Sequence, residues 1–204
     1  MTFSITLIIV LITIGVSLYA SEKLDFRHKL LFNPYRVVHN NEYYRIFSHA
    51  FIHADLMHLG VNMYVFFNFG NYLETLFINL FGQIGMLYFI LLYIGGIIFA
   101  TIPALLKNKD NPHYNSLGAS GAVSGVLFSF ILFNPMMWFT FPPVPAIVFG
   151  ILYIGYEMYQ NKNGRTNIAH DAHLLGALFG VLFTIFLSPK FVISNFIDQI
   201  QQIF

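Results

Sequence analysis

The chain has 204 residues, 57% of them hydrophobic and only 9% charged, with a mean hydropathy of +0.67. That balance excludes a soluble fold, which has no use for so much apolar surface, and makes the chain an integral membrane protein. A net charge of +1 argues against nucleic acid as a partner, and the absence of cysteine excludes disulfides, thiolate metal sites and a cysteine nucleophile.

Residues 2–20 are apolar and about long enough to span a bilayer. No positive n-region precedes them, and Leu18 is a poor residue before a cut after Ala20, so the segment reads as a retained anchor rather than a cleaved signal. Residues 21–55 hold the largest charge cluster, including Glu22, Lys23, Arg27, Arg36, Glu42, Arg45 and Asp55. His28, His39, His49 and His53 lie there too, among bulky side chains such as Phe26, Phe32, Tyr43 and Tyr44. The expectation is a structured first loop of short amphipathic pieces at the interface.

A second span covers residues 56–76 and carries His58, Asn62, Asn68 and Glu74; a third covers 83–106, with Gly85, Gly95 and Gly96 available for close packing. A polar loop then leads into Asn115-Ser116-Leu117-Gly118-Ala119-Ser120-Gly121-Ala122-Val123-Ser124-Gly125 and an apolar run ending near Phe133. Pro135, Pro142, Pro143 and Pro145 make the next connection a turn. Residues 146–160 form a short fifth span. Residues 169–187 form the sixth, holding His170, Asp171, His173, Gly176 and Gly180, and Ser188-Pro189 ends it. In the tail, 191–204, Val192, Ile193, Phe196, Ile197, Ile200, Ile203 and Phe204 recur at helical spacing, which predicts an interfacial amphipathic helix. The fold class is therefore an all-α polytopic membrane protein, with one six-span domain over residues 1–190 followed by that tail.

Six spans put both termini on one side, and Ser120, His58 and His173 toward the other, with all the histidines and every Lys and Arg except Lys190. The fourth helix, opening at Gly118, is about 24 Å long against a hydrocarbon core of about 30 Å, so Ser120 lies below the membrane surface in a first turn rich in unpaired N–H groups. Gly118, Gly121, Ser124 and Gly125 also make a small-residue stripe for helix packing, the blander account of the same residues.

His58 and Asn62, four apart, share a helix face and either bond a neighbouring helix, snorkel to the interface or donate to an oxyanion. His173 is followed on nearly its own face by Gly176 and Gly180, which invite the glycine-lined serine helix and bring the imidazole to the Ser120 hydroxyl as general base. No carboxylate is obviously placed to orient it, since Asp171 falls on roughly the opposite face; a Ser–His dyad is expected.

Together these residues resemble the rhomboid family of intramembrane serine proteases. The nucleophile motif Gly-x-Ser-Gly is Gly118-Ala119-Ser120-Gly121, and the second-span pattern runs from His58 to Asn62, preceded by His53. The sixth-span motif is Ala172-His173 with Gly176 and Gly180; Tyr44-Arg45 stands where the family has Trp-Arg, and Glu74 matches a recurring position. The resemblance implies Ser120 as nucleophile and His173 as base, with His58, Asn62 and the backbone around Gly118 and Ser120 as oxyanion hole. It implies no cofactor, transmembrane proteins as substrates entering laterally past the fifth span, and the first loop outside the cytoplasm, against the positive-inside tendency. Two positions depart from the pattern: Tyr44 replaces tryptophan, and Ser124 stands where an aromatic often packs beneath the catalytic histidine.

Two other functions fit parts of the sequence: a non-proteolytic client-binding relative, and a metal or proton transporter using His49 with His53 or His170 with His173. Small size and minimal architecture suggest a bacterial cell membrane.

Overall fold

The computed structural model describes residues 4–140, 142–163 and 169–201; the expectations for Thr2, Ile203 and Phe204 fall outside them. Among the described residues the chain is helical, with no strands and only the isolated bridges Phe32–Ser116 and Trp138–Pro145. It is an all-α polytopic membrane bundle.

Helix α1 is Ile5–Glu22, α5 is Leu56–Phe81, α6 is Gln83–Asn108, α7 is Ser120–Phe133, α8 is Ala146–Asn163 and α9 is His170–Leu187. By length and apolarity α1, α6 and α9 are each sufficient to cross a membrane. Between α1 and α5 the first loop folds into α2 (Leu24–Leu30), α3 (Pro34–His39) and α4 (Arg45–Ser48). These short helices are held by Arg45, whose buried guanidinium donates to the carbonyls of His28 (3.0 Å) and Leu31 (2.8 Å) and pairs with Glu42. Backbone carbonyls that would otherwise be orphaned at the ends of these pieces are satisfied by one fixed cation.

Glu74 has a comparable role for α1. From the C-terminal third of α5 its carboxylate accepts from the N–H of Ile5 (2.7 Å) and Thr6 (2.9 Å) and from the Thr6 hydroxyl (2.7 Å). An anion at the positive end of a helix satisfies its unpaired donors and docks it at once. Helix α5 runs past the expected residue 76 to Phe81, because Gly82, at φ +64°, is the first residue that turns the chain back.

The centre of the bundle is α7, about 21 Å long for 14 residues and buried except at Ser120 and Leu132. A hydrophobic helix enclosed on all sides is what its all-round apolar sequence calls for. It lies against α9 backbone to backbone: a Cβ on Gly176 would collide with the Gly121 carbonyl, and one on Gly180 with the Gly125 carbonyl. The small-residue stripe thus packs helices and delivers Ser120 to α9 at the same time. At its far end the Phe133 carbonyl accepts from Asn195 (2.9 Å) and Gln199 (2.7 Å) of α10, Pro189–Gln201, which therefore caps α7 as well as covering it.

Candidate active site

Gly118 does not open α7. It sits at φ +111°, a conformation that favours glycine, Ala119 caps the helix and Ser120 is its first residue. The glycine also makes room, since a Cβ there would lie 3.1 Å from His58 Nε2 and 3.9 Å from Ser120 Oγ. On the opposite helix, one turn into α9, His173 presents Nε2 to Ser120 Oγ at 2.7 Å.

The expectation of an imidazole without a carboxylate is corrected here. Glu157 of α8 places Oε1 3.0 Å from His173 Nδ1 and Oε2 2.6 Å from His170 Nδ1. Asp171, by contrast, pairs with Lys107 at 2.7 Å. Sequence spacing hides this arrangement because Glu157 comes from another helix, 16 residues away from His173. Its visible signal was an acid within an apolar span, where charge is costly and retained for a reason. One turn earlier on α8, the Tyr153 hydroxyl meets Ser124 Oγ at 2.6 Å. The position four after Ser120, which lacks an aromatic side chain of its own, is thus reached by one from α8.

Gly118 also departs from its expected role as a donor. Its N–H is taken by the His49 carbonyl at 2.9 Å, and the Ala119 N–H points to His53 Nε2 at 3.4 Å. Both loop amides are engaged because they anchor the turn before α7. The unpaired N–H groups begin at Ser120, since the first intrahelical bond of α7 runs from Val123 N–H to the Ala119 carbonyl. His58 Nδ1 accepts from the Ala54 N–H at 3.4 Å, which keeps the ring proton on Nε2, the atom facing Gly118. Asn62 donates one N–H to the His58 carbonyl at 2.8 Å, leaving its second for other acceptors.

Behind this group, His53 also receives support that the sequence did not reveal: its backbone N–H donates to Ser17 Oγ of α1 at 3.0 Å. Burial pushes the imidazoles of His49 and His53 each down to about 4, with neighbouring His58 adding to the effect at His53. Both are neutral structural groups at neutral pH. A small cavity of about 30 Å³, lined by Ser120, Gly118, His49, Ser116 and Thr101, adjoins the serine and is the size of one water. A larger apolar cleft of about 310 Å³ lies toward the other end of α7, among Ile131, Leu132, Ile151 and Phe196, away from any reactive group.

A family model described as a rhomboid domain matches residues 40–190. The chain belongs to the rhomboid family. Among its curated relatives, this rhomboid is 31% identical over 153 residues to Rhomboid protein 1, mitochondrial, of Saccharomyces cerevisiae, covering 70% of the chain and 41% of the relative. It is 26% identical over 174 residues to RHOMBOID-like protein 12, mitochondrial, of Arabidopsis thaliana, covering 74% and 50% respectively. Against the human presenilin-associated rhomboid-like protein, mitochondrial, identity is 29% over 149 residues, or 66% and 35%. The chain therefore spans half or less of the length of these relatives. All three are mitochondrial by name and lend no support to a bacterial cell membrane; the location that stands is that of a multi-pass integral membrane protein.

Glu157, His170 and His173 also offer one ligand atom each within 4.8 Å of one another, a carboxylate–imidazole set of the type that binds Zn²⁺. It is the one such group among the described residues.

Proposed function

We propose that this rhomboid is an intramembrane serine endopeptidase that cuts transmembrane segments of other membrane proteins. The observation that carries the proposal is the 2.7 Å contact between Ser120 Oγ and His173 Nε2, at the N-terminus of a buried helix. A hydroxyl paired with an imidazole acceptor loses its proton as it attacks, and His173 Nε2 receives it. Ser120 Oγ then bonds to the scissile carbonyl carbon, whose oxygen becomes anionic. The Ser120 N–H, the His58 Nε2–H and the second Asn62 N–H are the donors available to that oxygen, assisted by the positive end of α7. Collapse of the adduct passes the proton from His173 to the leaving amine and leaves an acyl-Ser120; water, deprotonated by His173, releases it. The substrate helix must unwind locally, because an intact helix keeps its carbonyls bonded.

Purified protein in liposomes with a labelled single-span substrate should cleave it, and Ser120→Ala and His173→Ala should not. A client-binding role without proteolysis predicts no cleavage by any of the three while substrate binding persists. The Glu157, His170 and His173 cluster favours a metal reading as the second candidate, and it predicts loss of function in EDTA. We also assign the serine end of the bundle to the extracytoplasmic side, as the family resemblance implies. In this cysteine-free chain, single cysteines at Lys107 and Gln199 report it by opposite accessibility to an impermeant thiol reagent in intact cells.

A further inference from the structure

We propose that Glu157 is the positioning residue for the His173 base, so that the site works as a Ser120–His173–Glu157 relay armed only when α8 is docked. The inference rests on the protease reading and names a part of its machinery that lies outside the Ser–His pair.

A carboxylate inside an apolar bundle is costly unless its oxygens are bonded, and Glu157, 4% exposed, has both oxygens bonded to imidazoles. A neutral imidazole carries its proton on either nitrogen. An acceptor at 3.0 Å from Nδ1 holds the proton there and leaves the Nε2 lone pair facing Ser120 Oγ. As Ser120 gives up its proton, the same carboxylate faces the imidazolium that forms. His170, on the other oxygen at 2.6 Å, keeps the carboxylate from rotating away. A second polar tie lies beside it, where the Ser124 hydroxyl meets that of Tyr153 at 2.6 Å.

Both polar ties, Tyr153 and Glu157, are one turn apart on α8. The fully buried residues of that helix are Ala146, Gly150 and Glu157; Ile147, Phe149, Tyr153 and Ile154 pack part-buried against the core, and Ile151, Leu152, Tyr156, Met158 and Tyr159 face outward. Ser120 and His173 sit on α7 and α9, which are locked together by backbone contact. Displacing α8 therefore removes the carboxylate while the two helices that carry the hydroxyl and the imidazole stay together.

The test compares wild type, Glu157→Gln, Glu157→Asp and Glu157→Ala, each checked for retained fold by thermal melting, on a labelled transmembrane substrate in liposomes. Glu157→Gln preserves shape but offers an amide that can select the wrong tautomer. It should lower kcat about 100-fold or more while KM stays within about threefold, and Glu157→Asp should recover part of the rate. Histidine ¹⁵N resonances give a second readout: His173 protonated on Nδ1 in wild type, and loss of that preference in Glu157→Gln. This readout does not depend on turnover, so an inactive wild type with the Nδ1 tautomer would overturn the protease reading and leave the positioning intact. Wild-type kcat in Glu157→Gln with an unchanged tautomer would overturn the relay. So would wild-type activity that EDTA abolishes and Zn²⁺ restores, which would make the cluster a metal site.

Discussion

Replacing Gly176 with alanine adds one methyl group against the Gly121 backbone, yet it should disable the proposed proteolysis. The new Cβ would meet the carbonyl oxygen and carbon of Gly121 at distances no van der Waals contact allows, and its Cα at the tight limit of 3.0 Å. All three atoms are backbone in a buried helix, so no side chain can swing aside, and α7 and α9 must separate by about 1.4 Å at the Gly121 oxygen to restore contact near 3.4 Å. Overpacking of this kind costs about 1–3 kcal/mol of stability. The functional cost is larger. Ser120 and His173 lie on those two helices within one turn of the clash, and a shift of about 1 Å or more lengthens their 2.7 Å contact beyond hydrogen-bonding range. A misplacement of that size corresponds to about 100-fold in rate. The assay is substrate cleavage in liposomes together with a thermal melt, with Gly155→Ala as control, since a methyl there meets nothing within 4 Å. Wild-type cleavage by Gly176→Ala would refute the link between glycine packing and site geometry.

Glu74→Ala should release the N-terminus of α1, leaving the Ile5 and Thr6 amides without their acceptor; a loss of about 3 kcal/mol in a denaturation series is expected, and faster proteolysis near residue 5 reports the same event. Acid should weaken the fold through His49 and His53. Each folded value is about 4 against 6.5 unfolded, so the folded state binds fewer protons between those limits. Their contribution is complete above pH 6.5 and is lost as pH falls toward 4, by about 3 kcal/mol apiece at most, which denaturation at pH 7.5 and pH 5 measures. Arg45→Met should loosen α2 and α4 by leaving the His28 and Leu31 carbonyls unpaired, raising hydrogen exchange in the first loop before any global unfolding.

Much of this architecture was legible because apolar length and glycine spacing are local signals. The runs at residues 83–106 and 169–187 agree with α6 and α9 to within two residues, and the Gly176 and Gly180 pattern foretold the approach of α7. Ser120 opposite His173 followed from that approach. What spacing could not carry was contact between helices of different register. Glu157 meets His173 only because α8 turns one face inward, and Ser17 meets the His53 backbone only because α1 packs behind the site. The Gly118 amide illustrates a related limit: a motif names a residue, but its φ of +111° and the His49 carbonyl decide where its N–H goes.

Proteolysis by this chain would turn on Ser120 acting as a nucleophile made reactive by His173. Labelling the purified, membrane-reconstituted protein with a fluorophosphonate and mapping the adduct by mass spectrometry tests it most directly. A single adduct on Ser120 is expected, formed at least about 100-fold more slowly in His173→Ala. An adduct on another residue, or labelling of Ser120 at the same rate without His173, would contradict it.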